Sequence, residues 1–205
     1  MTLIRTQKEL AGTPCIGFEP VAADRKQICC SRSFAQNCSD ADAVASALAV
    51  HAAQAARRLR QQHCRALAVS VFVLFNTFNP RQKQHVIHAT TVFKYATADT
   101  ARITHAACEM MRARFVRGVG YKKAGIILSE LVPEGKPEPL DLFDTPSPEQ
   151  ERREKLMQVL DSLTSRYGVS PLTTAVSTLS SGAAMRRERL SRCYTTRIAD
   201  VLTAN

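Results

Sequence analysis

The chain has 205 residues, with 28 Lys and Arg against 18 Asp and Glu, a formal charge of +10. At 45% apolar and 22% charged it can bury a core in one or two domains, which excludes a wholly disordered chain, a collagen-like repeat and a disulfide-stapled miniprotein. The longest apolar run, residues 66–75, is broken by Ser70 and is too short to span a bilayer, and Lys8 and Glu9 stand where a signal peptide would carry its apolar stretch. These features predict a cytoplasmic protein with no membrane partner.

Residues 26–34 (KQICCSRSF) have strand character and end in polar Gln36, Asn37 and Ser39. A helix follows. Ser39 or Asp40 can cap it, and Val44, Leu48, Ala52, Ala55 and Leu59 recur at helical spacing. Its nine alanines between Ala41 and Ala56 make it slim enough to lie close on a sheet. Residues 66–75 read as a strand, with Leu67, Val69, Val71, Val73 and Phe75 on one face and Ala66, Ala68 and Ser70 on the other. After a loop at 76–84 the order repeats: a strand at 86–95, a helix capped by Asp99 or Thr100 with Ile103, Ala107 and Met110 inward, and a strand at 121–132. Two βαβ units predict an α+β fold, a four-stranded sheet with two helices on one face and the other face open to a ligand. Residues 133–147 form an acidic, Pro-rich linker. Residues 148–166 return to helical spacing, and a Ser/Thr-rich stretch with a basic tail completes a C-terminal region at 148–205 that is too poor in core to fold alone.

The charge is uneven. Residues 50–128 hold thirteen basic and two acidic side chains, a local +11, whereas residues 129–161 hold nine acids and four bases. A contiguous basic stretch in a folded segment attracts a polyanion, and nucleic acid is the expected one. The seven cysteines are odd in number and lack CxxC pairing, which predicts free thiols in a reducing compartment. His85 with His88, and His63 with Cys64, have no second pair at zinc-site spacing, so neither a metal nor a cofactor is expected. Asp40 and Asp42, the nearest thing to a catalytic carboxylate pair, sit at a helix start where capping accounts for them.

Several ordered motifs carry a family resemblance. RTQKELAGTPC at 5–15, CSRSF at 30–34, Phe78-Asn79-Pro80, ADTAR at 98–102, YKKAGI at 121–126, MRRERLS at 185–191 and YTTR at 194–197 together resemble the C-terminal part of UmuC-type Y-family translesion DNA polymerases, over nearly the whole chain. The resemblance implies a linker from thumb to little finger at 1–25, a little finger DNA-binding domain at 26–132, the linker at 133–147 and a UmuC-type C-terminal region at 148–205. It implies no palm, hence no catalytic residues and no polymerase activity of the chain by itself. Ser31, Arg32, Ser33, Ser70, Lys122 and Lys123 are the expected DNA-binding residues, small side chains and cations that meet the sugar-phosphate backbone without reading sequence. Leu140, Asp141, Leu142 and Phe143 resemble the QLxLF-type peptide that docks in the sliding clamp, with Pro139 in the place of Gln. The expected partners are primer-template or damaged DNA, the clamp and a UmuD-like protein, in SOS mutagenesis. The alternatives are an interaction module that competes for the clamp and UmuD-like partners, a truncated relic without a role, and, more remotely, a thiol or zinc enzyme.

Overall fold

A computed structural model describes residues 2–15, 25–76, 83–136, 148–167, 172–178, 191–194 and 197–201. The main elements are helix α1 (Thr2–Leu10), strand β1 (Ile28–Cys38), helix α2 (Ala41–Gln61), strands β2 (Cys64–Phe75) and β3 (Ile87–Thr97), helix α3 (Thr100–Arg114), strand β4 (Tyr121–Pro133) and helix α4 (Pro148–Tyr167). The fold is α+β. Its sheet has the order β1-β4-β2-β3, with every neighbouring pair antiparallel.

That order interlocks the two βαβ units. β1 and β2 leave a slot that β4 fills, and β3 and β4 leave a slot that β2 fills. The two crossovers run in opposite directions across the sheet, on strands of opposite sense. With the right-handed connections such units adopt, both helices are delivered to the same face. α2 and α3 bury Val44, Leu48, Leu59, Ile103 and Met111 completely against Val69, Val71, Ile126 and Leu128 of the central strands. The alanines of α2 are part of this core, since Ala45, Ala52, Ala55 and Ala56 are all fully buried. Asp40 caps α2 by accepting from the amides of Asp42 and Ala43, each at 3.2 Å. Asp99 caps α3 by accepting from the Ala101 amide at 2.8 Å. The inward positions expected for both helices are buried.

Three local details differ from the periodicity. β1 continues to Cys38, with a register shift between Ser33 and Cys38. As an edge strand it pairs on one side only, so Gln36 and Asn37 can be held without burial. In β2, Leu67 is only half-buried while Ala66 belongs to the core. The alternation changes phase there at the irregularity between β2 and β3, where Ala66 faces Thr97 but Ala68 faces Val92; Glu130, between the β4 partners of the same two residues, takes a φ of 53°. The third detail is α1, a short helix in the stretch expected to be a linker. It is closed by Gly12 at φ 83° with Thr13 N–H donating to the Lys8 carbonyl at 2.9 Å, a glycine C-cap.

Arg60 ties α4 to the end of the sheet next to Cys64. Arg60 forms a two-pronged ion pair with Asp161, Nε to Oδ2 at 2.6 Å and the terminal nitrogen to Oδ1 at 2.9 Å. Its other nitrogen donates to the Ala98 carbonyl at 2.7 Å and the Thr100 hydroxyl at 3.0 Å. Further along α2, Ser46 donates to the Ser177 carbonyl at 2.7 Å, and Val176 packs on the main core. The described part of the C-terminal region therefore uses the core of the sheet domain.

Candidate nucleic-acid interface

Strand register lays out the uncovered face of the sheet in rows. One row is Ser31, Gly125, Phe72 and His88; the next is Cys29, Ile127, Ser70 and Thr90; beyond the first lies Ser33, Lys123 and Leu74; beyond the second, Ser129, Ala68 and Val92. They alternate with rows such as Cys30, Ile126, Val71 and Ala89, whose side chains fill the core under the helices. None of the four uncovered rows contains a carboxylate. Ser70 and Thr90 share a hydroxyl hydrogen bond of 2.8 Å across β2 and β3. At Gly125 a Cβ would collide with the Phe72 ring and with Ser31 Cβ, so the ring lies across the glycine and the face stays low between β1 and β2. Lys123 Nζ stands 5.9 Å from the centroid of the same ring.

The structure brings together four of the six residues expected at this interface, Ser31, Ser33, Ser70 and Lys123. It places Arg32 and Lys122 elsewhere. Arg32 belongs to the row of Ala124, Val73 and Ile87, on the helix side of the edge strand, and its charge is felt at His51 of α2. Lys122 is half-buried and donates to the Phe34 carbonyl at 3.0 Å. For Arg32 the reason is strand alternation, by which sequence neighbours point to opposite faces; Lys122 is the extra residue where the β2–β4 register shifts, between Lys123 opposite Leu74 and Tyr121 opposite Phe75. Leu140, Asp141, Leu142 and Phe143 lie outside the described residues. Phe72, Gly125 and Thr90 join the face without having been singled out. Their signals were a glycine inside a strand, which marks close approach of a neighbour, and the period of two that puts Phe72 on the side of Ser70.

The local +11 is also distributed differently from its linear order. Arg58 and Arg60 occupy the last turn of α2, and Arg112 and Arg114 that of α3, where cations favour the negative end of the helix dipole. Arg60 is neutralised by Asp161, and Arg112 meets Asp42 at 3.4 Å. A cavity of about 620 Å³ lies between α4 and the sheet end and is lined by Arg60, Asp99, Arg102, Glu134 and Arg153 among others. Arg153 there is paired with Asp99 and Glu149, so the cavity balances its own charge.

The thiols of Cys30, Cys38 and Cys108 are pushed up by burial and stay protonated, a poor state for a nucleophile. Among the described residues no group of three or more His, Cys, Asp or Glu could hold a metal ion, and no helix is long and apolar enough to cross a membrane.

Residues 25–142 match the impB/mucB/samB family C-terminal domain. The chain belongs to this family. Residues 154–204 match a second domain, described as of unknown function (DUF4113). Within the impB/mucB/samB family, protein UmuC of Salmonella typhimurium is 35% identical over 202 residues, which is 98% of this chain and 47% of UmuC. Protein SamB of the same organism is 37% identical over 206 residues, 100% of this chain and 47% of SamB. The chain spans about half the length of the curated relatives it matches, and corresponds to their C-terminal part. Among solved structures, one described as a complex of the beta-clamp processivity factor and the little finger domain of PolIV aligns with 15% identity and a TM-score of 0.41, over 58% of this chain and 99% of that one.

His51 gives this family member a pH dependence. It is 8% exposed and its Nδ1 is buried without a hydrogen-bond partner. Burial lowers its pKa below 6.5, and the Arg32 charge adds to that. The unfolded chain therefore binds a proton that the folded chain refuses. The contribution to stability is complete above about pH 6.5 and declines as the pH falls below it. Urea unfolding of His51→Leu should lose less stability than the wild type between about pH 6.5 and 5, whereas equal losses would contradict this assignment.

Proposed function

We propose that this chain is the DNA-holding and clamp-tethering part of a UmuC-like translesion polymerase, and that nucleotidyl transfer is supplied by a separate catalytic part. The carrying observation is the uncovered sheet face, with its hydroxyls at Ser31, Ser33, Ser70 and Thr90, its cation at Lys123 and no carboxylate in any row. Such a surface lets a phosphate backbone approach closely and donates hydrogen bonds to it without reading base sequence. Indifference to sequence suits an enzyme that works on damaged templates. Arg32 and Lys122 act from the rim in this reading, as charges beside β1 rather than as contacts on the face.

The linker supports the second half of the proposal from its sequence. Leu140, Leu142 and Phe143 are apolar anchors set among acids and prolines, a pattern that docks into a preformed apolar pocket. Pro139 has no amide or side-chain donor to offer at the first position, so affinity for the clamp is lower than with Gln there. A UmuD-like protein is a further partner on this reading, and the proposed setting is translesion synthesis during SOS mutagenesis in the cytoplasm.

Two measurements test the proposal. Binding of the full chain to a primer-template duplex should weaken with salt at a log–log slope of about −4 to −5, as expected if about five phosphates are neutralised. Lys123→Gln should reduce that slope by about 1, and Arg57→Gln on α2 should leave it unchanged. Salt-independent binding, or none, contradicts the DNA-holding role. In a clamp pull-down, the double change Leu142→Ala with Phe143→Ala should abolish capture while duplex affinity stays at the wild-type value. Loss of both activities together would favour an interaction module whose DNA contact is incidental.

A further inference from the structure

We infer that the centre of the uncovered face is a stacking site for an unpaired nucleobase, so that the preferred substrate carries a single-stranded segment. The inference rests on the DNA-holding reading above and names the class of DNA that the same face selects. It starts from Phe72. A phenylalanine on the uncovered side of a central strand has no helix to bury it, and here it is half-buried only because its ring lies across Gly125 and against Ser31. Any side chain at 125 would displace the tip of the ring, so the glycine is what gives it room. The ring stays partly exposed on this face, with exposed His88 next to it in the same row.

What surrounds the ring fits a nucleotide better than a protein side chain. Lys123 Nζ is 5.9 Å from the ring centroid, and the hydroxyls of Ser31, Ser70 and Thr90 border it in the same and the adjacent row. A base on the ring would put its sugar-phosphate near the hydroxyls and near Lys123. The lysine contact with the ring is a solvent-facing cation–π interaction at the far end of its range, weaker than the stacking of a base. A base can take the ring while Lys123 turns to the phosphate, which keeps the charge paired. Open four-stranded sheets with an aromatic residue on a central strand hold unpaired bases in this way, whereas a fully paired duplex offers only backbone to the same surface.

Two probes separate this inference from the proposal it rests on. One is a twelve-nucleotide single strand with a central 2-aminopurine, the other a blunt duplex of the same length. The variant is Phe72→Leu, which keeps an apolar cover over Gly125, with thermal unfolding as the check on folding. The wild type should change 2-aminopurine fluorescence on binding. Phe72→Leu should lose about five- to a hundredfold in affinity for the single strand, lose the fluorescence change, and lose far less affinity for the duplex. Equal affinity of variant and wild type for the single strand overturns the stacking site and leaves the backbone contacts standing. Failure of the wild type to bind either probe overturns both.

Discussion

The sheet domain depends on the interlocking of its two βαβ units. Because each unit leaves a gap that only a strand of the other can fill, neither half can close its sheet alone, and the central pair β2 and β4 comes from different units. The same interlocking turns one crossover through half a revolution relative to the other, which puts α2 and α3 side by side on one face. The apolar rows of all four strands are consumed by that helical layer. Among the described residues no element covers the remaining rows, which mix serine, threonine, glycine, histidine and lysine with the apolar side chains of Phe72, Leu74, Val92 and Ile127. The sheet thus buries one side and presents on the other a mixed, carboxylate-free surface, the one to which the proposed function assigns the nucleic-acid backbone.

Much of this was legible in the residues. Asp40 and Asp99 stand where short acidic side chains can accept from the first free amides of a helix, and they do. Val44, Leu48, Ala52, Ala55 and Leu59 repeat at the helical period and are buried. The sidedness of Arg32 was written in the alternation of its strand, but its charge invited a grouping that the pleat forbids, whereas that of Lys122 depends on a register shift in β4 that the residues do not announce. Strand order was not legible, because which slot a strand fills depends on contacts between residues far apart in the chain. The phase change at Leu67 was hidden for a similar reason, since it falls where the pairing of β2 with β3 shifts register.

The linear charge count needed the structure most. A run of +11 suggests a basic surface, yet Arg60 of α2 and Arg112 of α3 sit in the last turns of their helices and face the carboxylates of Asp161 and Asp42. Part of the charge therefore serves the fold. Arg60 shows this directly, since its four hydrogen bonds join α2, the start of α3 and α4. What remains on the uncovered face is sparse and set among hydroxyls, consistent with contacts that follow a backbone by shape as much as by charge.

The central claim is that nucleic acid meets the sheet and not the helices. Backbone amide NMR shifts of the full chain, titrated with a primer-template duplex, test it most directly. The account predicts that the largest changes fall at Cys29, Ser31, Ser33, Ser70, Thr90 and Lys123, with little change along the outer surface of α2 and α3. Changes centred on Arg57, Arg58 and Arg112, with the strand residues unmoved, would contradict it.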